Sequence, residues 1–496
     1  MSFASYADEP IHRLVVSASE ASKISLLVGA GASMEAGLPS WNTLVNRLLE
    51  RGALNADLLS ADDERARALW LEDAGRDGPL GAAAMVDALA GDERDAWVVE
   101  ALYGDGGPSS FFPGPIARQI ATLYRVFGDQ LRLMTLNYDD LLQQALRDAG
   151  STPLTLATAE HRVAAGEMPV FHLHGYLGRD GSSGQIVLSE ADYHGMQHGG
   201  AWQDDLMRNA LRDSTLIFVG TSLIDPNMLR YLHAVTSEPG GEHFAVFVRQ
   251  GVYAADAPGG LAEARERALT RRWEQVGVTP VFVDHYTDVA QVLAEIAMRR
   301  ADTGNHRPLP ERAATWLEAV TPGLLAVHDR EAFVRSQQVV SALLRDALST
   351  AVQTAEALTG DQWTETLALS LWLSNAEGTA MTSWFTTDRL HLEPATIEPL
   401  PIDEHSSWVA VRAYCQGTPL AEAHTPDGSR WRFVRGTPLT LHSAQHGRLP
   451  IGCLTTASLS PKDSTQLHLM PRPVAAAFSA TLSDAVLAFL DQPFAA

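Results

Sequence analysis

Four clusters of glycine and polar residues, each at the end of an apolar run, are the parts of this sequence equipped for chemistry. The first is Leu26–Ser33, LLVGAGAS. An apolar strand runs into Gly29-Ala30-Gly31 and Ser33, where small residues admit a pyrophosphate against the backbone and a following helix turns its free amides toward it. A tight structural turn is the alternative, and the last glycine of the usual dinucleotide fingerprint is missing, which disfavours an ordinary dehydrogenase. Gly37-Leu38-Pro39-Ser40-Trp41 follows shortly after. The second cluster, Thr135-Leu136-Asn137-Tyr138-Asp139-Asp140, sets an amide and carboxylates where a strand gives way to a helix. An amide orients a water or a ribose hydroxyl, and a carboxylate stabilises an oxocarbenium-like centre. Helix capping competes with that reading and is the better one for Asp140.

The third cluster, Phe171-His172-Leu173-His174-Gly175, places two imidazoles on one face of a strand. His174, beside the glycine, is the candidate proton acceptor; strand histidines also serve structure alone, and two histidines without cysteine partners make a poor metal set. The fourth, Gly220-Thr221-Ser222 with Asp225-Pro226-Asn227, offers hydroxyls to a ribose or phosphate, or simply a turn and a helix start.

The elements that must position these groups alternate. Apolar strands are expected at Ile24–Val28, Leu131–Thr135, Pro169–Leu173, Thr215–Val219, Phe244–Val248 and Val281–Val283, with helical spacing at Trp41–Leu49, Ile116–Phe127 and Asp288–Met298. Continuous apolar strands between helices indicate a doubly wound α/β domain with a Rossmann-like parallel sheet over residues 1–300. Residues 50–115 read as inserted short helices, and 176–200, with Gly178, Gly181, Gly184 and Gly199–Gly200, as a loop or small lobe. Asp302–Pro310 reads as a linker opening a helical connector, 301–360. Residues 361–496 read as a smaller α+β domain with strands at Thr366–Leu373, Trp408–Tyr414, Trp431–Val434, Leu439–His442 and Leu449–Thr456 before a helix, Val474–Leu490.

Composition sets limits. A net charge of −23 argues against general nucleic-acid binding. No run approaches the roughly 20 apolar residues of a membrane span, Met1–Pro10 lacks the layout of a secretory signal, and the two cysteines, Cys415 and Cys453, form no disulfide framework. A cytoplasmic protein is expected.

Taken together, the four clusters resemble the sirtuin family. Gly29–Ser33 resembles its GAGxS loop, Gly37–Trp41 its GIPxF segment, Thr135–Asp139 its TxNxD, Phe171–Gly175 the strand ending in HG, and Gly220–Ser222 its GTS, over residues 10–300. The resemblance implies that Gly29, Ala30, Gly31 and Ser33 hold the phosphates of NAD⁺ and that Trp41 packs near nicotinamide. It also implies that Asn137 and Asp139 flank the ribose, that His174 is the general base, that Thr221 and Ser222 contact the adenosine half, and that Gly220 and Asp225 belong to the cofactor-binding set.

Departures redirect that expectation. The two CxxC pairs that hold zinc in deacylating sirtuins are absent, so no zinc is expected, and Ser40-Trp41-Asn42 replaces the aspartate-phenylalanine-arginine after GIP. The chain looks more like the bacterial sirtuin-like effectors of antiphage defence, NAD⁺ hydrolases whose acceptor is water. That implies NAD⁺ as substrate, a homo-oligomer and an activator: a nucleotide signal, a phage protein or a partner chain. From Trp408 onward the sequence is similar to the second half of a GAF domain, a sensor, though a module serving only oligomerisation fits as well. A protein deacylase and a non-catalytic NAD⁺ or ADP-ribose sensor are the competing readings.

Overall fold

The computed structural model describes residues 6, 8–56, 60, 63–104, 106–158, 163–178, 184–198, 202–235, 241–249, 259–423, 429–443 and 446–492. Gly181 and Gly199–Gly200 of the expected loop lie outside them. The chain forms two compact units, one of Ser17–Phe247 with Ala257–Phe282, the other of Met1–Val16, Val248–Asp256 and Val283–Ala496. Helix Tyr286–Ala301, at the end of the expected 1–300 domain, falls in the second unit.

The first unit is built on seven strands: β1 (Ile24–Val28), β2 (Leu131–Thr135), β3 (Thr152–Leu156), β4 (Glu167–His172), β5 (Thr215–Val219), β6 (His243–Val248) and β7 (Val278–Val283). They lie in the order β3-β4-β2-β1-β5-β6-β7. The pairs β1–β2, β1–β5, β2–β4, β3–β4 and β5–β6 are all parallel, as expected. Every residue of β1 and β5 is buried, because these central strands are covered on both faces, and that is why they read as unbroken apolar runs. Strand order reverses at β1, whose neighbours are β2 and β5. In an open α/β sheet, the carboxyl ends beside such a reversal form the natural crevice for a ligand.

Helices Trp41–Asn55, Gly78–Ala90 and Arg94–Tyr103 pack around Leu44, Leu48, Val86 and Trp97 as a helical lobe, as the insertion over 50–115 leads one to expect. Ser40 caps the first of them through its side chain. The helix expected directly after Gly31 is a single turn, Gly31–Met34. Gly37, at φ 90°, is where the chain turns out of it.

The second unit holds an antiparallel sheet of six strands: β8 (Leu367–Ser374), β9 (Ala380–Thr386), β10 (Leu400–Pro401), β11 (Leu420–Ala423), β12 (Phe433–Ser443) and β13 (Gly447–Ser458), ordered β10-β9-β8-β13-β12-β11. The expected strand Trp408–Tyr414 is instead a helix, Val409–Gln416. Val409 and Val411 mimic strand alternation, but Val409, Ala410, Val411, Ala413, Tyr414 and Cys415 bury most of the helix and leave Arg412 and Gln416 on its remaining side, and Gly417 closes it in the left-handed region. The two expected strands 431–434 and 439–442 are one strand, β12. The connector is two helices, Leu309–Val320 and Arg330–Thr359, parted at Thr321–Leu325, which contains Pro322 and Gly323.

Helix Arg472–Leu490 is long and apolar enough by composition to cross a membrane, although Ser479, Thr481, Ser483 and Asp484 interrupt its apolar sequence. In this fold one of its faces, with Val474, Phe478, Leu482, Val486 and Leu490, is buried, and the helix packs against Arg330–Thr359.

Candidate active site at the ends of β1, β2, β4 and β5

Each chemistry-bearing cluster lies at the carboxyl end of a strand next to the reversal at β1. The ends of β1 and β5 close directly on each other. The Gly29 amide donates to the Val219 carbonyl at 2.9 Å and the Gly31 amide to that of Gly220 at 2.8 Å. A Cβ on Gly29 would lie 2.6 Å from the Gly220 carbonyl oxygen, and one on Gly220 would lie 2.6 Å from the Ala32 nitrogen. Gly220 also sits at φ 65°. Glycine is therefore required at 29 and 220 by the meeting of two loops, before any ligand is considered. The Ala32 and Ser33 amides donate to the carbonyls of Gly29 and Ala30. Four amides of the expected phosphate loop are thus engaged within the protein.

Three predicted residues form one network. Asn137 Nδ2 donates to Ser33 Oγ at 2.8 Å and to the Gly29 carbonyl at 3.1 Å. Ser33 Oγ donates in turn to Asp139 Oδ2 at 2.7 Å, and the Leu141 amide donates to Asp139 Oδ1 at 3.1 Å. Asn137 and Asp139 are only 8% and 5% exposed. Burial raises the Asp139 carboxyl to about 6, partly offset by its Ser33 and Leu141 donors. The amide of Asn137 bonds to Thr135 Oγ1, and that hydroxyl donates to the Val28 carbonyl, so the end of β2 is fastened to β1.

The two strand histidines divide. His172 is structural: its Nδ1 meets the Asn137 carbonyl at 2.8 Å and its Nε2 meets Gln143 Nε2 at 2.7 Å. That pairing makes Nδ1 the protonated nitrogen of a neutral ring, and burial holds its pKa down at about 4. His174, 7% exposed, lies in a second network. Its Nε2 is 3.5 Å from Asp225 Oδ2, and the Tyr193 ring packs edge-on against it, centroids 5.4 Å apart. Tyr193 donates its hydroxyl to the same Asp225 oxygen, and Asp225 Oδ1 accepts the Met228 amide at 2.9 Å. Burial lowers the pKa of His174 while Asp225 opposes the shift. Gly175, at φ 91°, lets residues 185–187 pass close by: a Cβ there would lie 2.1 Å from the Gln185 carbonyl oxygen, and the Val187 amide donates to the His174 carbonyl.

The remaining predicted residues line the edges. Trp41 packs against the helical lobe, and the neighbouring Tyr138 donates its hydroxyl to the Val187 carbonyl. Thr221 Oγ1 accepts the Leu223 amide; Thr221 is half-buried, and Ser222 is exposed. Side-chain hydrogen bonds thus bring Ser33, Asn137 and Asp139 together, while a hydrogen bond, an ion-pair contact and a ring contact join Tyr193, Asp225 and His174. The strands beneath tie the two sets, as where the Leu173 amide donates to the Thr135 carbonyl. Tyr138, Gln143 and Tyr193 escaped the sequence reading because each meets its partner only through the fold. Among the described residues no three His, Cys, Asp or Glu side chains group as metal ligands.

Three of these four strand ends fall within one recognisable segment. Residues 132–281 match the family model of the SIR2-like domain. The SIR2-like segment takes in Asn137, Asp139, His174, Gly220–Ser222 and Asp225, while Gly29–Ser33 and Trp41 precede it. Among solved structures the chain is similar to a Sir2 homologue in complex with NAD, at 14% identity over 59% of this chain and 94% of that one, TM-score 0.32. It is also similar to a Sir2 homologue variant in complex with ADP-ribose, at 17% identity over 53% and 97%, TM-score 0.26. A third is a variant bound to 2′-O-acetyl ADP-ribose, at 16% identity over 59% and 97%, TM-score 0.29. No curated protein matches the chain.

Proposed function

We propose that this protein is an NAD⁺ glycohydrolase, cleaving NAD⁺ with water to nicotinamide and ADP-ribose. The observation that carries the reading is the Ser33–Asn137–Asp139 network at the reversal of the sheet, in a chain whose SIR2-like segment implies NAD binding. The polar set suits a dinucleotide, with the Ser33, Thr221 and Ser222 hydroxyls and the accepting Asn137 amide oxygen all at strand ends. Two of Asn137's hydrogens are spent on Gly29 and Ser33, leaving Oδ1 to orient a water. His174, kept neutral by burial, accepts that water's proton as the oxygen–C1′ bond forms and the bond from C1′ to nicotinamide breaks. The Asp139 carboxylate favours the positive charge that develops on the ribose.

Water rather than acyl-lysine is the proposed acceptor because Cys415 and Cys453 both lie in the second unit, buried, with thiols raised by burial. On the same reading the protein is a cytoplasmic, homo-oligomeric effector of antiphage defence, restrained until a signal arrives. Its C-terminal region, 361–496, serves as the GAF-like sensor or as the oligomerisation module.

The test is to incubate the full chain with NAD⁺ alone, then with extract of infected cells, and to identify products by chromatography. Nicotinamide and ADP-ribose without added peptide support the reading. O-acyl-ADP-ribose formed only with acyl-lysine peptide would replace it with deacylation, and tight NAD⁺ binding without product under every condition would leave a sensor.

A further inference from the structure

The segment that covers His174 is held by a charge cluster outside the candidate site. Helix Glu190–His198 carries Tyr193, and its first turn is organised by Asp192. Asp192 Oδ2 accepts the Leu188 and Ser189 amides, each at 3.0 Å, and the Ser189 hydroxyl at 3.2 Å. Arg94, at the start of the lobe helix Arg94–Tyr103, donates to both Asp192 oxygens at 3.1 and 3.0 Å and to Asp87 at 3.2 Å. Burial alone would raise the Asp192 carboxyl, but these amides and Arg94 outweigh it and hold it below the usual range. The segment is therefore pinned at Asp192, one residue before the tyrosine that fills the space beside His174.

Tyr193 acts there in two ways. Its ring covers the imidazole, and its hydroxyl occupies the Asp225 oxygen nearest His174. With Asn137, Asp139 and His174 all under a tenth exposed, a dinucleotide reaches them only if something moves. Helix Glu190–His198 bears on His174 through one side chain, that of Tyr193.

We propose that helix Glu190–His198 is a latch on the site, with Tyr193 as its bolt and Arg94–Asp192 as its catch, so that release of the catch bares His174 and frees Asp225. The proposal rests on the placing of the reactive site at His174 and gives that site its regulation. A signal acting on the helical lobe would then reach the site through Arg94.

The test measures His174 directly. Diethylpyrocarbonate acylates accessible neutral imidazoles, and peptide mass spectrometry gives its rate at each histidine of the full chain, with the exposed His405 as internal standard. Local opening sets the rate at a covered group. Arg94→Gln, which removes a charged hydrogen-bonded pair, should speed His174 acylation about tenfold relative to His405. Tyr193→Ala, which removes the bolt and leaves Arg94 in place, should do the same. Thermal midpoints establish that each variant is folded. An unchanged His174 rate in the folded variants overturns the latch. NAD⁺ turnover on the same samples separates the two ideas. Faster acylation with no cleavage by any form leaves the latch standing and removes the hydrolase reading. Cleavage by the wild type with unchanged acylation removes the latch and leaves the hydrolase.

Discussion

Asn137 donates to the Ser33 hydroxyl at 2.8 Å across the gap between β2 and β1, and Ser33 passes its own proton toward Asp139. One amide thereby sets the direction of a hydroxyl and the environment of a carboxylate. This is a structural duty that exists before any substrate arrives, and it makes the architectural contribution of Asn137 separable by experiment from its proposed catalytic one.

Asn137→Ala should lose both. Two buried hydrogen bonds are removed and Ser33 loses a partner, so unfolding free energy should fall by about 1–3 kcal/mol, read from urea denaturation. If the proposed chemistry holds, NAD⁺ turnover should fall about 100-fold or more at temperatures where the variant is folded. Full turnover in a destabilised Asn137→Ala protein would reduce Asn137 to a fastening.

The acid limb of stability carries the signature of Asp139. Burial raises its carboxyl from 3.8 to about 6. Between those values the folded chain keeps a proton that the unfolded chain has released, so this group makes stability fall as pH rises from about 4 to about 6, by about 3 kcal/mol in all. His172, depressed by burial to about 4, works in the opposite sense. Below about 6.5 the unfolded chain gains a proton that folded His172 refuses, so stability is lost on acidification. His174 is also lowered and adds to that slope. Asp139→Asn removes the first effect only, so the gain of the variant over wild type should grow from pH 4 to pH 6 and then level off. Denaturation midpoints across that range check it; parallel profiles would show that Asp139 titrates as an ordinary carboxyl.

Gly220→Ala tests the meeting of the loops. The new Cβ would press on the Ala32 nitrogen at 2.6 Å in a backbone at φ 65°, which should cost about 2–3 kcal/mol. Gly260→Ala, where an added Cβ meets nothing within 4 Å, is the control and should leave the thermal midpoint unchanged or slightly raised. Equal midpoints for the two variants would contradict the packing described.

In the second unit, Arg312 donates to buried Glu295 and to the Arg448 carbonyl, and His306 meets Glu295 at 3.0 Å. Arg312→Met strands a buried carboxylate and should cost about 3–5 kcal/mol by chemical denaturation. Adding Glu295→Leu should recover most of that loss, and a double variant no better than the single one would show that the pair is not the relevant interaction.

The central strands were legible because burial on both faces imprints an unbroken apolar run; Ile24–Val28 and Thr215–Val219 coincide with β1 and β5. Edge strand β3, TPLTL with Pro153 and mostly exposed or half-buried positions, carries no such imprint and went unread. Helix Val409–Gln416 differs from the strand its sequence suggests because β-branched alternation over a few residues fits both periods. At the site, each polar strand end could be found alone, but not their pairing. The sequence marks Asp225 only as a candidate ligand contact; its place between Tyr193 and His174 appears only in the fold. Tyr193 itself has no local signature, since what makes it important is a residue 32 positions away.

The contact between Gly29 and Gly220 has a bearing on descent. Because each glycine makes room for the other's loop, a relative that had abandoned the reaction would still need both to keep its sheet closed. The glycine signature therefore tracks ancestry of the scaffold, while on the proposed reading loss or retention of chemistry would be written at positions 33, 137, 139 and 174.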